Sequence, residues 1–471
     1  GERHPRAGTG SHVAFVAVLR LYDTATREVR ELAMREPGSV SIYLCGPTVY
    51  APPHLGHGRQ NIVYDVLVRY LRWTGLDVRL VSNITDIDDQ IINRANTEQR
   101  PWQEITSKCE AVWFDAQARL GVARPDDTPH ATEYVAEMVE MIGELVARDA
   151  AYTTDDGVYL SVETVPDYGL LAHQSLDEML VGGGERTVVG ADLKRHPADF
   201  VLWKLAKPGE PSWPSPWGEG RPGWHSECVV MSLDLLGEGF DLHCGGEDLR
   251  FPHHENERAQ AVALGKQFAN HWMHHAFVVD IEGEKMSKSL GNVDNLLDVL
   301  DRFDDRSYRL LLLQSHYRSP VRVGVENLQA AETTVAGLDA FAARSTSVAD
   351  TSRDEADPDV LDAFVAAMDD DLDTPAATAL LFDTVRRANI ALDRGDDDAR
   401  ALVAAAREIA AAFGLELGRA GEVPADVLEQ AAALDAARAA KDYAAADAIR
   451  ATLQADGWIV ETFAGGTTVR R

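Results

Sequence analysis

Cysteine is scarce in this chain, basic residues are outnumbered, and long apolar runs are missing. Four cysteines, Cys45, Cys109, Cys228 and Cys244, are scattered through 471 residues. That is too few for a disulfide scaffold, and it predicts a reducing cytoplasm with structural or metal-binding thiols. No stretch approaches the roughly 20 apolar residues of a membrane span, so no membrane partner is expected. The start, Gly1 to His12, has neither a Met nor the apolar core of a signal peptide. Residues 1–18 are expected to be a tag remnant or a disordered extension. No internal repeat of fixed period is evident.

Lys and Arg total 45 against 76 Asp and Glu, a net charge of −31. This argues against a nucleic-acid partner, because a protein that tracks a phosphate backbone usually carries a basic excess. The acid is unevenly spread, however. Asp350 to Asp371 and Asp396-Asp397-Asp398 are strongly acidic, whereas Lys194-Arg195-His196, Arg306 to Arg318 and Arg470-Arg471 are basic. Local patches can still meet a phosphate backbone, and the remaining acid reads as a surface that keeps the protein soluble, in a salt-rich setting if there is one.

What is present is a pair of short segments suited to phosphate. Pro53-His54-Leu55-Gly56-His57 follows the alternating apolar residues Val40, Ile42 and Leu44, and opens a stretch where Ile62, Val63, Val66, Leu67, Tyr70 and Leu71 recur with helical spacing. The pattern predicts strand, turn, helix. Two histidines on a first helical turn can both donate to an oxyanion, free main-chain N–H groups point the same way, and the intervening glycine removes an obstructing Cβ. The second segment, Lys285-Met286-Ser287-Lys288-Ser289, follows a β-rich run, Ala276 to Ile281, and a Glu282-Gly283-Glu284 turn. Its lysines are expected on a loop that can close over a polyphosphate as charge builds in a transition state. Separately, each segment has a bland alternative: a satisfied surface histidine pair and a solvated loop. In this order they resemble the HIGH and KMSKS signatures of class I aminoacyl-tRNA synthetases.

At this length, with 45% hydrophobic residues, the chain should form roughly two to four domains. From about Val13 to Leu120, strand and helix patterns alternate, and Asn83-Ile84-Thr85-Asp86-Ile87-Asp88-Asp89 clusters polar side chains just past the strand Val78 to Val81, where open α/β sheets bind ligands. A Gly/Pro/Trp-rich stretch from Gly182 to Trp224 reads as part of an insertion, and beyond Arg302 the pattern becomes helical and Ala-rich. The expected fold is therefore α/β, a Rossmann-type parallel-sheet catalytic domain (19–300, insertion about 122–222), followed by a connecting region (301–345), an α-helical domain (346–422) and a small terminal unit (423–471).

A second constellation suits a metal. Cys45 ends the first strand of that α/β region, Cys228 lies in Trp224-His225-Ser226-Glu227-Cys228, and His253 and Glu257 stand four apart in a helical segment and so share a face. Two thiolates, an imidazole and a carboxylate can make a tetrahedral zinc site. His243, Cys244, His254 and Glu255 are competing ligands, and spacing alone leaves the choice open. A lone buried cysteine is also commonly just a small hydrophobe.

A closer resemblance covers the chain from about Leu19 to its end. Cys45-Gly46-Pro47-Thr48-Val49-Tyr50 with Pro53 to His57 is similar to the opening motif of cysteinyl-tRNA synthetases. So are Asn83 to Asp89, Pro197 to Lys204, Ser215 to Gly218, Arg221 to His225, His243 to Gly246, Phe251 to Glu257 and Lys285 to Ser289. Met368 to Pro375 and Lys441 to Asp447 resemble the family's anticodon-side helical region. Leu55, Ser226 and Gln90 depart from commoner residues without removing a reactive group. The resemblance implies zinc on Cys45, Cys228, His253 and Glu257; an amino-acid pocket of Cys45, Gly46, Thr48, Thr85, Trp224 and His243; and nucleotide contacts from Gly56, Gly246, Asp248, Val279 and Lys288. For Trp224 the plainer reading is a core aromatic, and for Asp248 a helix cap.

The implied reaction is attack of the carboxylate of L-cysteine on the α-phosphate of ATP, then transfer of cysteine to tRNA(Cys) by a monomer. His54, His57, Lys285 and Lys288 would supply charge neutralisation, with Mg²⁺ on pyrophosphate. Serine and cysteine differ by one atom, which an ordinary pocket separates poorly. Zinc prefers the soft thiolate, so it can select at the first step. With four protein ligands, the substrate thiolate has to enter as a fifth ligand or displace the weakest, taken to be Glu257. Two alternatives stay open: a ligase joining cysteine to glucosaminyl-inositol, whose opening motif carries threonine where this chain has Pro53, and a non-catalytic zinc-stabilised RNA-binding relative.

Overall fold

A computed structural model describes residues 19–176, 178, 193–280, 295–348, 352–419, 425–456, 458–463 and 466–470. Lys285 and Lys288 lie outside the described residues. The chain divides into two compact units, Gly1–Val335 with Thr351–Leu415, and Ala336–Asp350 with Glu416–Arg471.

The first unit begins with an antiparallel hairpin, β1 (Arg20–Asp23) and β2 (Glu28–Glu31), and then enters a parallel sheet. β3 (Ser39–Leu44) is buried on both faces, as a strand covered by helices must be. Helix α1 (Leu55–Trp73) follows and buries Ile62, Val66, Leu67, Tyr70 and Leu71, then β4 (Asp77–Ser82) pairs parallel with β3. After three further helices, an antiparallel sheet forms from β5 (Ala151–Thr153), β6 (Gly157–Leu160), β7 (Phe200–Leu205) and β8 (Gly220–Pro222). The Trp-rich stretch is therefore partly β structure. Trp203 is fully buried in it, and a Cβ on Gly220 would lie 2.5 Å from the Trp203 indole nitrogen. Only glycine lets the strand approach that ring.

The helix Trp224–Leu236 returns the chain to β9 (Leu242–Gly246) and β10 (His271–His275), and the parallel sheet has the order β10-β9-β3-β4. The chain winds outward in one direction from β3 to β4 and in the other from β9 to β10. Between β3 and β9 the winding reverses, which leaves a crevice past the strands' C-terminal ends, the place where such sheets bind ligands. Cys45, Asn83, Gly246 and His275 all stand there.

The β-rich run expected over Ala276 to Ile281 is shorter in the structure. Ala276 donates its N–H to Tyr317 O at 2.8 Å, which takes the chain out of the sheet. Only β11 (Val278–Val279) continues as strand, paired in parallel with β12 (Val321–Arg322); Ile281 lies outside the described residues. Helices Pro358–Asp369, Thr374–Arg394 and Ala399–Ala412 complete this unit. They pack on the end of α1, where Tyr70 donates to Asp369 at 2.7 Å and the Trp73 indole N–H to Glu408 at 2.9 Å.

In the second unit, helices Ala425–Ala439 and Tyr443–Ala455 accompany an antiparallel hairpin, β13 (Ile459–Phe463) and β14 (Gly466–Arg470). Val427, Ala431, Leu453, Trp458 and Val469 form its core.

Candidate active site

At the start of α1, two imidazoles replace the usual small capping residue. His54 is the N-cap, and the reciprocal bonds of a capping box run between the two: His57 N–H donates to His54 Nδ1 at 3.4 Å and His54 N–H to His57 Nδ1 at 3.3 Å. Each Nδ1 accepts, so each neutral ring carries its proton on Nε2. The rings stack at 3.7 Å between centroids, and the His57 ring meets Trp113 edge-on. Burial, then the nearness of His54 and His275, holds the His57 imidazolium pKa well below the usual range. The turn thus adds ring N–H donors to the positive end of a helix dipole. A Cβ on Gly56 would stand 2.9 Å from the His54 ring, so glycine is what permits this stack.

Deeper in the crevice, four residues converge from three distant stretches of chain. Cys45 Sγ lies 3.6 Å from Cys228 Sγ and 3.4 Å from Glu257 Oε1; Cys228 Sγ lies 3.7 Å from His253 Nε2, which is 2.9 Å from Glu257 Oε1. All four are buried. A tetrahedral ion with sulfur ligands at 2.3 Å requires sulfurs about 3.8 Å apart, so the spacing suits one. His225 Nδ1 and His253 Nδ1 are 2.9 Å apart. Burial and the neighbouring His253 lower His225 to about 3, so His225 is the neutral acceptor and His253 Nδ1 the donor. That leaves His253 Nε2 as the atom that faces the two thiols.

The electrostatics favour a cation at this point. Burial alone would push His253 down and Glu257 up. Instead, attraction to Glu257 raises His253 to about 10, while His243 and His253 hold Glu257 well below the usual carboxylate range. Burial would likewise raise Cys228, but its hydrogen bonds with Cys45 and His253 bring it down to about 6, and Cys45 is raised well above its ordinary value. One thiolate and one carboxylate around a shared proton is an environment that a divalent ion can take over.

Of the competing ligands, Cys244 is raised by burial alone, and Glu255 accepts from the Leu171 N–H at 2.6 Å; neither joins a cluster. His243 and His254 do form a second close set with Cys45 and Glu257. His243 Nε2 lies 2.7 Å from Glu257 Oε2, so it bears on the cluster from behind the carboxylate.

Of the remaining expected residues, Gly46, Thr48, Thr85 and Gly246 stand at or just past the ends of the parallel strands, Trp224 stands against the cluster, and Val279 lies on the separate β11–β12 pair. Gly46 donates its N–H to Asn83 Oδ1 at 2.8 Å, and a Cβ there would stand 1.6 Å from Asn83 O. Thr48 and Thr85 face each other in an isolated bridge, and Trp224 stacks on His253 at 3.9 Å between centroids. Gly246 closes β9 beside exposed Asp248, whose Oδ1 would be 2.4 Å from an added Cβ, and Val279 is buried in β11. Sequence reasoning did not single out Glu227, which accepts the Thr85 hydroxyl at 2.6 Å and is raised well above the usual carboxylate range by burial. It sits next to Cys228 in the chain, but nothing in its spacing announced its burial. His225 and Asn83 stand inside the Trp224–Cys228 and Asn83–Asp89 motifs, whose spacing marks neither one out.

Residues 31–333 match the catalytic domain of class I (C) tRNA synthetases, and residues 363–418 match the DALR domain. A cysteine–tRNA ligase of Geobacter sulfurreducens is 44% identical over 480 residues, covering 96% of this chain and 99% of the relative. The chain belongs to the cysteine–tRNA ligase family. A Streptomyces coelicolor member is 43% identical, covering 98% of this chain and 76% of its own length. The fold of the family recurs at low identity in Mycobacterium tuberculosis methionyl-tRNA synthetase in complex with methionyl-adenylate. That structure has a TM-score of 0.61 at 16% identity and covers 81% of this chain and 92% of its own.

Proposed function

We propose that the chain activates L-cysteine with ATP to cysteinyl-adenylate and transfers the cysteinyl group to tRNA(Cys), with zinc on Cys45, Cys228, His253 and Glu257 selecting the substrate thiol. The observation that carries this reading is the meeting, in one crevice, of a thiol-rich buried cluster and a helix start armed with two histidine donors. When bound, zinc supplies a Lewis acid that favours a soft thiolate over a hydroxyl. His253 is oriented by His225, Glu257 by His243, and Thr85 by Glu227, so the pocket walls are fixed before substrate arrives.

In the first step the cysteine carboxylate forms a bond to the α-phosphorus and pyrophosphate leaves, so no covalent link to the protein is needed. His54 and His57 offer their Nε2–H groups to phosphate oxygens, and Lys285 and Lys288 are assigned to pyrophosphate with Mg²⁺. Gly56, Gly246, Asp248 and Val279 are assigned to the nucleotide, and Gly46, Thr48, Thr85, Trp224 and His243 to the amino acid. The DALR match across 363–418 supports tRNA over glucosaminyl-inositol as acceptor. Action in the cytoplasm as a monomer belongs to the same reading; four free cysteines accord with a reducing compartment, and no described helix is long and apolar enough to cross a membrane. Cysteine-dependent ATP–pyrophosphate exchange, with serine as control, tests the proposal. Exchange with cysteine alone supports it, and equal exchange with serine contradicts it.

A further inference from the structure

Two buried charges outside the chemistry described so far grip one turn of the chain. Arg59 lies two residues beyond His57 on α1 and is 1% exposed. Its guanidinium donates to Phe277 O at 2.6 Å, Tyr317 O at 3.0 Å, Ser319 O at 2.6 Å and His316 O at 3.3 Å. No carboxylate pairs with it among the described residues. Burial lowers its pKa to about 10, so it stays cationic at neutral pH. A buried cation without an anion is costly unless dipoles replace its water, and four carbonyls in two segments do so only in one arrangement.

The turn His316–Ser319 is also held, through its side chains, by Asp371, which is 4% exposed. Its carboxylate accepts the Tyr317 hydroxyl at 2.5 Å, Arg318 Nε at 2.7 Å and the Tyr22 N–H at 2.8 Å. Asp371 has a φ of +58°, in the left-handed region that an aspartate adopts at a cost. It belongs to Met368–Pro375, the run that resembles the family's anticodon-side helical region. The gripped turn in turn carries β11: Ala276 N–H donates to Tyr317 O at 2.8 Å, Val321 N–H to Phe277 O at 3.1 Å and Val323 N–H to Val279 O at 3.1 Å. β11 therefore has no independent position. It stands where Arg59 and the turn put it, relative to the same helix that begins with His54 and His57.

We propose that Arg59 and Asp371 are positioning residues for adenylate formation, which together fix Val278–Val279 against the first turn of α1 and so set the width of the nucleotide site. The inference rests on the assignment of His54, His57 and Val279 to ATP. It places part of the DALR-side sequence in the service of the activation step. Lysine at position 59 keeps the charge but loses the planar fork that reaches carbonyls in two directions. A misplacement on the order of 1 Å can cost about a hundredfold in rate.

The test is kinetic and needs the full chain. Arg59→Lys is expected to raise the KM for ATP and lower kcat of pyrophosphate exchange by about tenfold to a hundredfold, with the KM for cysteine and the metal content within about twofold of wild type. Tyr317→Phe removes one hydroxyl from the Asp371 side without changing shape, and moves the same two parameters in the same direction by less. The double variant should be no worse than Arg59→Lys alone, because both act on one turn. A lowered Tm with unchanged kcat and ATP KM would reduce the pair to a structural role and overturn the inference, as would an equal rise in the KM for cysteine. Calorimetry with ATP alone keeps the two readings apart. If wild-type protein shows no cysteine-dependent exchange, the assigned reaction fails, yet weaker ATP binding by Arg59→Lys would still uphold the positioning claim and unchanged binding would defeat it.

Discussion

His54 and His57 stand on one turn of α1, and each holds the other's ring through a main-chain N–H. Cys45, Cys228, His253 and Glu257 come from three separated stretches, and none is more than 2% exposed. The reciprocal bonds of the first arrangement join residues three apart and need only a helix start there, although His54 also bridges Asn295 and the His57 ring meets Trp113. The second exists only after β3, the helix Trp224–Leu236 and the segment around His253 have packed, and its charges are tolerable only because each faces a partner. The histidine end is thus joined within one segment, and the thiol end exists only in the fold. Removing one member should have different consequences at the two ends.

The largest effect is expected at the buried end. Cys228→Ser should lower metal retention and cysteine activation together, the latter by more than the roughly 10–100-fold typical of residues behind the metal ligands. Metal analysis and pyrophosphate exchange on the same preparation check it, and activity that survives with the metal gone would erase the contrast. At the helix start, His57→Ala should slow exchange by about a hundredfold, near 3 kcal/mol, as for one preorganised donor. Here metal content stays at the wild-type level. Lys288→Ala is expected to match it, with kcat and kcat/KM falling by similar factors. A loss of cysteine binding in either variant would join the two ends into one unit.

A smaller effect should follow deletion of residues 416–471, the terminal segment of the second compact unit. Exchange persists, because both ends of the site lie in the other unit, while charging of tRNA falls by about tenfold or more with a weaker salt dependence. Unchanged charging would remove the unit from tRNA recognition.

The smallest effect concerns pH. The folded pKa of His57 lies below its unfolded value near 6.5, so at a pH between the two the unfolded chain binds a proton that the folded one refuses. Stability therefore holds above about 6.5 and is lost as pH falls through that window. His275, lowered to about 4 by burial and by Arg59, acts with the same sign. Between pH 8 and 7 exchange should change by less than about twofold on their account, and Tm measured from pH 7 downward should decline steadily. A Tm that rises on acidification would mean these rings are charged in the fold.

This difference between the two ends also governs how much could be read from the chain. Val40, Ile42 and Leu44, with the helical spacing after His57, were enough for the strand, the turn and α1, because alternation and 3.6-residue periodicity are local signals. Past His275 the same reasoning overextended a strand, since what ends it is a hydrogen bond from Ala276 to Tyr317, far away in the chain. The four cluster residues are nameable only through a resemblance to a family; spacing leaves His243, Cys244, His254 and Glu255 in play, and of these the fold brings His243 and His254 close to Cys45 and Glu257. Glu227, His225 and Arg59 carry no periodic signature, and their roles come entirely from what packs around them.

The central claim is that a metal held by the buried cluster selects cysteine. The most direct measurement is ATP–pyrophosphate exchange with cysteine and with serine on protein stripped of metal by a chelator and then titrated with zinc. The account predicts that cysteine-dependent exchange disappears on stripping and returns as zinc approaches one equivalent per chain, with serine inactive throughout. Stripped protein that keeps full activity and full preference for cysteine over serine would contradict it.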